Sequence, residues 1–278
     1  MGNLTFNGIS SEDLGIRIAS PPSYSCPQKN RSSTQLLGRD GDIIIDYGTY
    51  NNVSRSYVMS LPIDEGEYTY YASKISGWLN GPSGYSRLED SYEPEYYRMA
   101  IMTKELTFTN VHDSAIAFEV EFECKPQRFF KYGENYVLLC SASKVEDSYS
   151  FTINNKLKNP TSFSAKPLYR ITTSNDQKPY SIKIRHTKKN GLYYDAVLKI
   201  SNNNSSEHRY IYFDNDSYSC YEVKSVDGVK TIINLNANVD FASYIEFGDG
   251  CIGGDEQINV IEIDNVEKVE VMPRWWTL

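Results

Sequence analysis

Hydrophobic and polar residues alternate along much of this chain with a period of two. The sharpest case runs from Ala117 to Lys125, where Phe118, Val120, Phe122 and Cys124 alternate with Glu119, Glu121 and Glu123. Successive strand side chains point to opposite faces, so this segment predicts a strand with one apolar face and one face of three carboxylates. Wound as a helix, the same residues would have no dry face. Like charges lined along a strand repel by roughly a few tenths of a kcal/mol each in water and by far more when dry. The acidic face is therefore expected to meet solvent, cations or an aqueous lumen.

Elsewhere the same rhythm recurs in short segments separated by turn residues, with one interruption. Ile43-Ile44-Ile45 comes after the glycine-bearing loop Gly38 to Asp42 and reads as a strand after a tight turn. Between Asp64 and Gly81 the period lengthens: Tyr71, Ile75, Trp78 and Leu79 share one helical stripe, and Gly81-Pro82 stops it. Arg87 to Tyr97 reads as a polar, acidic connection. Beyond Phe130 come strands at Tyr136–Ser141, Ser150–Ile153, Leu168–Ile171, Tyr180–Arg185, Ala196–Ile200, Arg209–Phe213, Cys220–Val223 and Lys230–Leu235. Spacing of about ten residues with turns between is the mark of a β-sandwich or barrel. A boundary is expected near Lys131, and Asn259–Ile263 and Val266–Met272 alternate strongly at the end.

Composition sharpens this mainly β reading. The 278 residues allow one large domain or two ordinary ones, and 23 Tyr with 11 Phe against only 5 Met suit pleated, half-buried surfaces. The net charge of −8 argues against a protein that grips nucleic acid, which needs a basic stripe. Five scattered cysteines, never spaced C-x-x-C, read as reduced thiols and not as a zinc site. The first residues lack the basic and apolar regions of a signal peptide, and no stretch approaches the roughly 20 apolar residues of a membrane span. The chain is expected to be made and kept inside a cell, which leaves Asn52-Val53-Ser54 and Asn215-Asp216-Ser217 as chance glycosylation triplets.

Chemistry is sparse. His112, His186 and His208 have no motif partners, and there is no nucleophile elbow, zinc-binding helix or phosphate loop of the known kinds. Glu89, Asp90, Glu93 and Glu95 read as a solvated acidic loop. Gly248 to Gly253 spells G-x-G-x-x-G after an apolar run, Tyr244–Phe247, but no helix comes after it and Asp249, Asp255 and Glu256 would repel a phosphate, so it reads as a turn. Asp214-Asn215-Asp216 lacks the glycine and distal glutamate of a calcium loop. Arg274, Trp275 and Trp276 either staple the last strand into a core or form an interface, since adjacent strand residues face opposite ways.

Several segments together carry a resemblance. Phe6-Asn7-Gly8-Ile9-Ser10-Ser11-Glu12-Asp13-Leu14-Gly15-Ile16, the turn Leu37-Gly38-Arg39-Asp40-Gly41 and Ile75-Ser76-Gly77-Trp78-Leu79 look like the N-terminal half of the distal tail proteins of long-tailed, non-contractile bacteriophages. The strand ending Phe122-Glu123-Cys124-Lys125-Pro126, the stretch from Asn159-Pro160-Thr161 to Lys166-Pro167 and the ending Val271 to Leu278 continue the likeness in order along essentially the whole chain.

That resemblance implies two β-sandwich domains. Residues 1–131, with one helix, would form an N-terminal domain that closes a ring of six, and 132–258 a galectin-like sandwich outside it. The last strand, 259–278, would return to the first domain. It implies a virion component at the tail tip, assembled in the bacterial cytoplasm, that joins the tail tube to the tail-associated lysin or fibre protein and holds receptor-binding proteins. It brings no catalytic residue, cofactor or metal, and no specific grip on nucleic acid or membrane. Candidate assembly contacts are Arg39, Asp40, Arg274, Trp275 and Trp276. Glu119, Glu121 and Glu123 are candidates for the wall of the ring lumen, where negative charge lets DNA slide past; an ordinary solvated strand face is the competing reading. The alternative function is a carbohydrate-binding module using the galectin-like domain, weakened because the second half has His186 and His208 but no Trp before Trp275; an enzyme rests only on unpaired carboxylates.

Overall fold

The computed structural model describes residues 2–112, 114–145, 148–153, 155–173, 179–201, 209–226, 229–240, 242 and 251–278. It divides into two units, Met1–Phe129 with Leu278, and Phe130–Thr277. The architecture is mainly β with one α-helix, as the alternation predicts.

In the first unit the chain forms β1 (Leu4–Phe6), β2 (Ile9–Ser10), β3 (Arg17–Ile18), β4 (Lys29–Gln35), β5 (Asp42–Tyr50), β6 (Val53–Pro62), α1 (Tyr68–Asn80), β7 (Ser86–Asp90), β8 (Tyr96–Met102), β9 (Phe108–Val111) and β10 (Ala115–Cys124). The antiparallel sheet runs β2-β1-β7-β8-β10-β6-β3. β10 pairs with β6 along its whole length, from Ala115 opposite Pro62 to Cys124 opposite Val53. Its other edge is shared between β9 and β8. Both long strands alternate, so Phe118, Val120, Phe122 and Cys124 meet Tyr57, Met59 and Leu61 in one core. The helix adds Ile75, Trp78 and Leu79. Trp78 Nε1 donates to the Phe6 carbonyl at 3.1 Å, which fixes the helix against β1 while satisfying a buried donor.

Two local expectations differ. The segment 87–97 contains β7 and the start of β8, not a loop: Leu88 is the inward residue of a strand whose polar side chains are matched by arginines. Ile43, Ile44 and Ile45 do form a strand, but it pairs only with β4, in a two-stranded sheet with most residues exposed on both faces. β4, with the polar sequence Lys29 to Gln35, gives no hydrophobic signal.

The second unit holds β12 (Val137–Val145), β13 (Ser148–Ile153), β14 (Leu157–Lys158), β15 (Leu168–Thr173), β16 (Tyr180–Thr187), β17 (Tyr193–Ile200), β18 (Arg209–Asp214), β19 (Ser219–Val226), β20 (Val229–Asn234), β21 (Gln257–Asp264) and β22 (Val266–Met272); β11 (Arg128–Phe130) precedes them and β23 (Trp276–Thr277) comes last. A seven-stranded sheet, β13-β12-β22-β15-β18-β19-β20, and a four-stranded one, β14-β21-β16-β17, make a sandwich. Ile171, Phe213 and Val269 from the first meet Ile182, Ile184, Leu198 and Val260 from the second. For two strands of the segment 259–278, expected to return to the first unit, the pairing differs. β21 pairs with β14 and β16, and β22 lies between β12 and β15, because Val260, Val266, Val269 and Val271 fill this unit's own core. β23 belongs with β11 to the ten-stranded sheet, and Leu278 groups with the first unit.

His208, Tyr244–Phe247 and Gly248 to Gly250 lie outside the described residues. The next regular element after the glycine run is β21, a strand and not a helix. None of the five cysteines forms a disulfide. Among the described residues no helix is long and apolar enough to cross a membrane.

The two faces of β10 are expected to respond oppositely to truncation. Phe122→Ala should cost about 3–5 kcal/mol in urea unfolding of the first unit, and Glu119→Ala no more than about 0.5 kcal/mol.

Candidate assembly site

The acidic face of β10 is present but is not uniformly acidic. Glu119 is exposed, opposite the exposed Val58 on β6. Glu121 is ion-paired with Lys104, and hydrogen bonds from Lys104 and Ser54 hold its carboxyl below the usual range. Glu123 Oε1 accepts from Asn52 Nδ2 at 2.5 Å and from Tyr85 OH at 3.0 Å. The Lys125 ammonium lies 5.2 Å from the centre of the Tyr85 ring. The three carboxylates share one face, as the period of two requires, with two lysines beside them.

Arg39 and Asp40 sit at the tip of the β4–β5 hairpin. Gly38 and Gly41 have φ of 80° and 79°, the left-handed conformation that the turn needs. Leu37 beside them is fully exposed, and Ile44, Ile45 and Tyr47 are 64%, 49% and 55% exposed. Asp46 ties the two strands together: it accepts from Lys29 Nζ at 3.3 Å, from Arg31 Nε at 3.1 Å and from the Gly48 N–H at 2.9 Å. Among the described residues nothing packs on the isoleucines of this arm to form a core.

The C-terminal trio divides between the two readings left open for it. Trp275 is 3% exposed inside the second unit's core, so its side chain offers no surface to a partner. Gly133 makes this possible: a Cβ there would stand 2.8 Å from the Trp275 nitrogen. Arg274 makes a two-pronged ion pair with Asp214, at 2.7 and 3.0 Å. Burial pushes the Asp214 carboxyl up, but the hydrogen bond and charge of Arg274 bring it below the usual range. Asp214 is thus taken by a guanidinium, and among the described residues no group of three His, Cys, Asp or Glu side chains is placed to hold a metal ion. Trp276 is half-buried, stacks on Phe163 at 4.6 Å and donates to the Ser164 carbonyl at 2.9 Å. The staple reading therefore describes Arg274 and Trp275, and Trp276 keeps one partly open face.

Of the residues that read as a solvated acidic loop, Asp90 and Glu93 belong instead to a buried ionic network in the first unit, Glu89 pairs with Arg87, and Glu95 is exposed. Arg55 and Asp90 pair at 2.9 Å with side chains each 5% exposed, and the same guanidinium nitrogen lies 3.0 Å from Glu93. Arg55 Nε donates to Tyr57 OH at 3.0 Å, and that hydroxyl donates to Asp90 Oδ2 at 2.6 Å. Asp90 Oδ1 accepts the N–H groups of Tyr92 and Glu93, both at 2.9 Å, which sets the β7–β8 turn. Arg98 and Arg128 also reach Glu93, at 3.4 and 2.7 Å, and Arg128 Nε donates to the Leu278 carbonyl at 3.0 Å. Burial pushes the Asp90 carboxyl up, yet Tyr57 and Arg55 bring it below the usual range; burial also raises the Tyr57 hydroxyl strongly. In the second unit His186, on β16, faces Glu256 at 3.6 Å, both buried, with its ring stacked on Tyr194 at 4.6 Å. His112 is exposed in a turn.

No protein-family model matches the chain, and no curated protein matches its sequence. Solved structures do match its fold along its full length. The crystal structure of the Dit protein of phage SPP1, described as a paradigm of the hub adsorption apparatus in phages infecting Gram-positive bacteria, superposes with a TM-score of 0.65, covering 100% of both chains at 11% identity. The chain shares its fold with a phage tail-hub protein. A chain of the phage P2 baseplate, in its activated conformation with calcium, covers 97% of this chain and 96% of its own length with a TM-score of 0.56 and 13% identity. The strontium form of that baseplate gives 0.52 at 12% identity.

The part of this Dit-like fold that sequence reading missed is long-range pairing. Arg55, Asp90, Glu93, Arg98 and Arg128 are scattered over four strands and one connection, and only the sheet register brings them together. The one local clue is that Asp90 and Glu93 sit beside inward residues such as Leu88. Removing one member of a buried pair leaves the other charge uncompensated. Asp90→Asn is expected to destabilise the first unit by about 3 kcal/mol at neutral pH. Because the folded-state pKa of Asp90 is lowered, its contribution is present above about pH 4 and fades as pH falls below that. Urea unfolding at several pH values should show a shallower acid limb in the variant.

Proposed function

We propose that this chain is a structural distal tail protein: a subunit of a ring of six that forms the hub at the tip of a long, non-contractile phage tail. In this reading the ring joins the tail tube above to the tail-associated lysin or fibre protein below. It also holds receptor-binding proteins and leaves a passage for DNA. The observation that carries the reading is the full-length match to the SPP1 hub protein, which spans both units and leaves neither chain with a large unmatched part. Its place would be the virion, after assembly in the host cytoplasm.

The β4–β5 hairpin supports ring assembly physically. A two-stranded hairpin is marginal alone in water, and this one exposes Leu37, Ile44, Ile45 and Tyr47. We assign it as an arm that lies on the neighbouring copy, with Arg39 and Asp40 at its tip as polar contacts. Trp276, with its partly open face, is the C-terminal residue best placed to meet another tail protein. Glu119, Glu121 and Glu123 are assigned to the lumen wall. Their charge is moderated by Lys104 and Lys125, and the net charge of −8 keeps the ring as a whole from holding DNA.

Mass photometry of the purified chain at micromolar concentration is expected to show a species near six protomers. The double variant Leu37→Asp, Ile44→Asp should shift it to single protomers with an unchanged Tm, since both residues are exposed in one copy. A wild-type chain that remains strictly monomeric would count against the reading.

A further inference from the structure

The outer face of the seven-stranded sheet carries a cavity of about 470 Å³, lined by Ser141, Arg170, Thr172, Tyr210, Tyr212 and Glu270 among others. The register places these side chains in a grid. Tyr212 on β18 stands opposite Tyr221 on β19, and the two rings stack at 5.3 Å, nearly parallel. On its other side Tyr212 faces Arg170, which in turn faces Glu270. Two residues along, Thr172 lies between Tyr210 and Lys268. Tyr210 is 51% exposed.

The polar groups are fixed before any ligand arrives. Arg170 Nε donates to Glu270 at 2.9 Å while its guanidinium lies over the Tyr136 ring at 3.9 Å. Lys268 Nζ meets the other Glu270 oxygen at 2.8 Å. Two cations thus stand against Glu267 and Glu270, and the floor has no net charge. The exception to this saturation is the Thr172 hydroxyl, enclosed but without a hydrogen-bond partner among the described residues.

This combination selects among occupants. An anion would meet two carboxylates, a cation would meet Arg170 and Lys268, and an apolar side chain would strand the polar floor without water. Stacked, partly exposed rings beside fixed donors and acceptors suit a molecule with apolar C–H faces and many hydroxyls. We propose that this face of the second unit binds a neutral saccharide, with a sugar ring over Tyr212 and Tyr221 and sugar hydroxyls at the Arg170–Glu270 pair. Strands lie about 4.8 Å apart, so one or two sugar units span both contacts. The site deepens the carbohydrate reading and does not depend on ring assembly, which mass photometry reports separately.

Saturation-transfer NMR of the full chain with maltotriose, cellotriose and chitotriose as probes tests it. At least one probe is expected to receive saturation, most strongly at its ring C–H protons. Tyr212→Ala should weaken that probe's Kd at least about tenfold, whereas Thr172→Val, at an enclosed hydroxyl, should leave it unchanged. Tyr210→Ser, at an exposed position that leaves the fold intact, should also weaken it. No transfer to any of the three probes, or an affinity unchanged in both tyrosine variants at unchanged Tm, would overturn the proposal.

Discussion

Strand β10 organises the first unit, because it pairs with β6, β8 and β9 while presenting one dry face and one wet one. Its inward residues, Ile116, Phe118, Val120, Phe122 and Cys124, are each at most 4% exposed and give the helix and the outer strands an apolar surface to pack on. A slip of one residue in its register would send Glu119, Glu121 and Glu123 into that core, so the alternation fixes register as well as face. Burial pushes the Cys124 thiol up to about 11, which leaves it an inert packing residue at neutral pH.

A second constraint acts at the edge of that core. Arg55 and Asp90 are both buried, and such a pair stabilises only when geometry and further hydrogen bonds offset desolvation. Here Tyr57 and the N–H groups of Tyr92 and Glu93 supply those bonds. The network therefore joins β6 to the β7–β8 turn, and its main effect is to fix which strands meet. In the second unit the comparable work is done by hydrophobic layers and by Arg274 holding Asp214.

How much of this was legible depended on whether the cause is local. The helix over Tyr68–Asn80 and the strands of the second unit follow from periodicity, and the structure has them within a few residues. β4 escaped because a polar hairpin strand outside the core has no hydrophobic period to read. The pairing of Asp90 with Arg55 escaped because it bridges residues far apart in sequence. The return of 259–278 was implied by the resemblance alone; alternation says that a strand is buried on one face but not in which sheet, and the pairing puts β21 and β22 in the sheets of the second unit. The Trp275-Trp276 pair behaved as neighbouring strand residues do, one ring in the core and the other half-open.

The two units divide the work in this account. The first carries an exposed hairpin and an acidic strand face, on which the proposed ring rests, and the second an outer sheet face, on which the proposed saccharide site rests. Electron microscopy of the purified chain, averaged to resolve single protomers, tests the ring most directly. The account predicts six copies around a central hole, each with its β4–β5 hairpin on a neighbour and the Glu119, Glu121 and Glu123 face toward the hole. Separate monomers, or a ring in which that face points outward and the hairpin touches nothing, would contradict it.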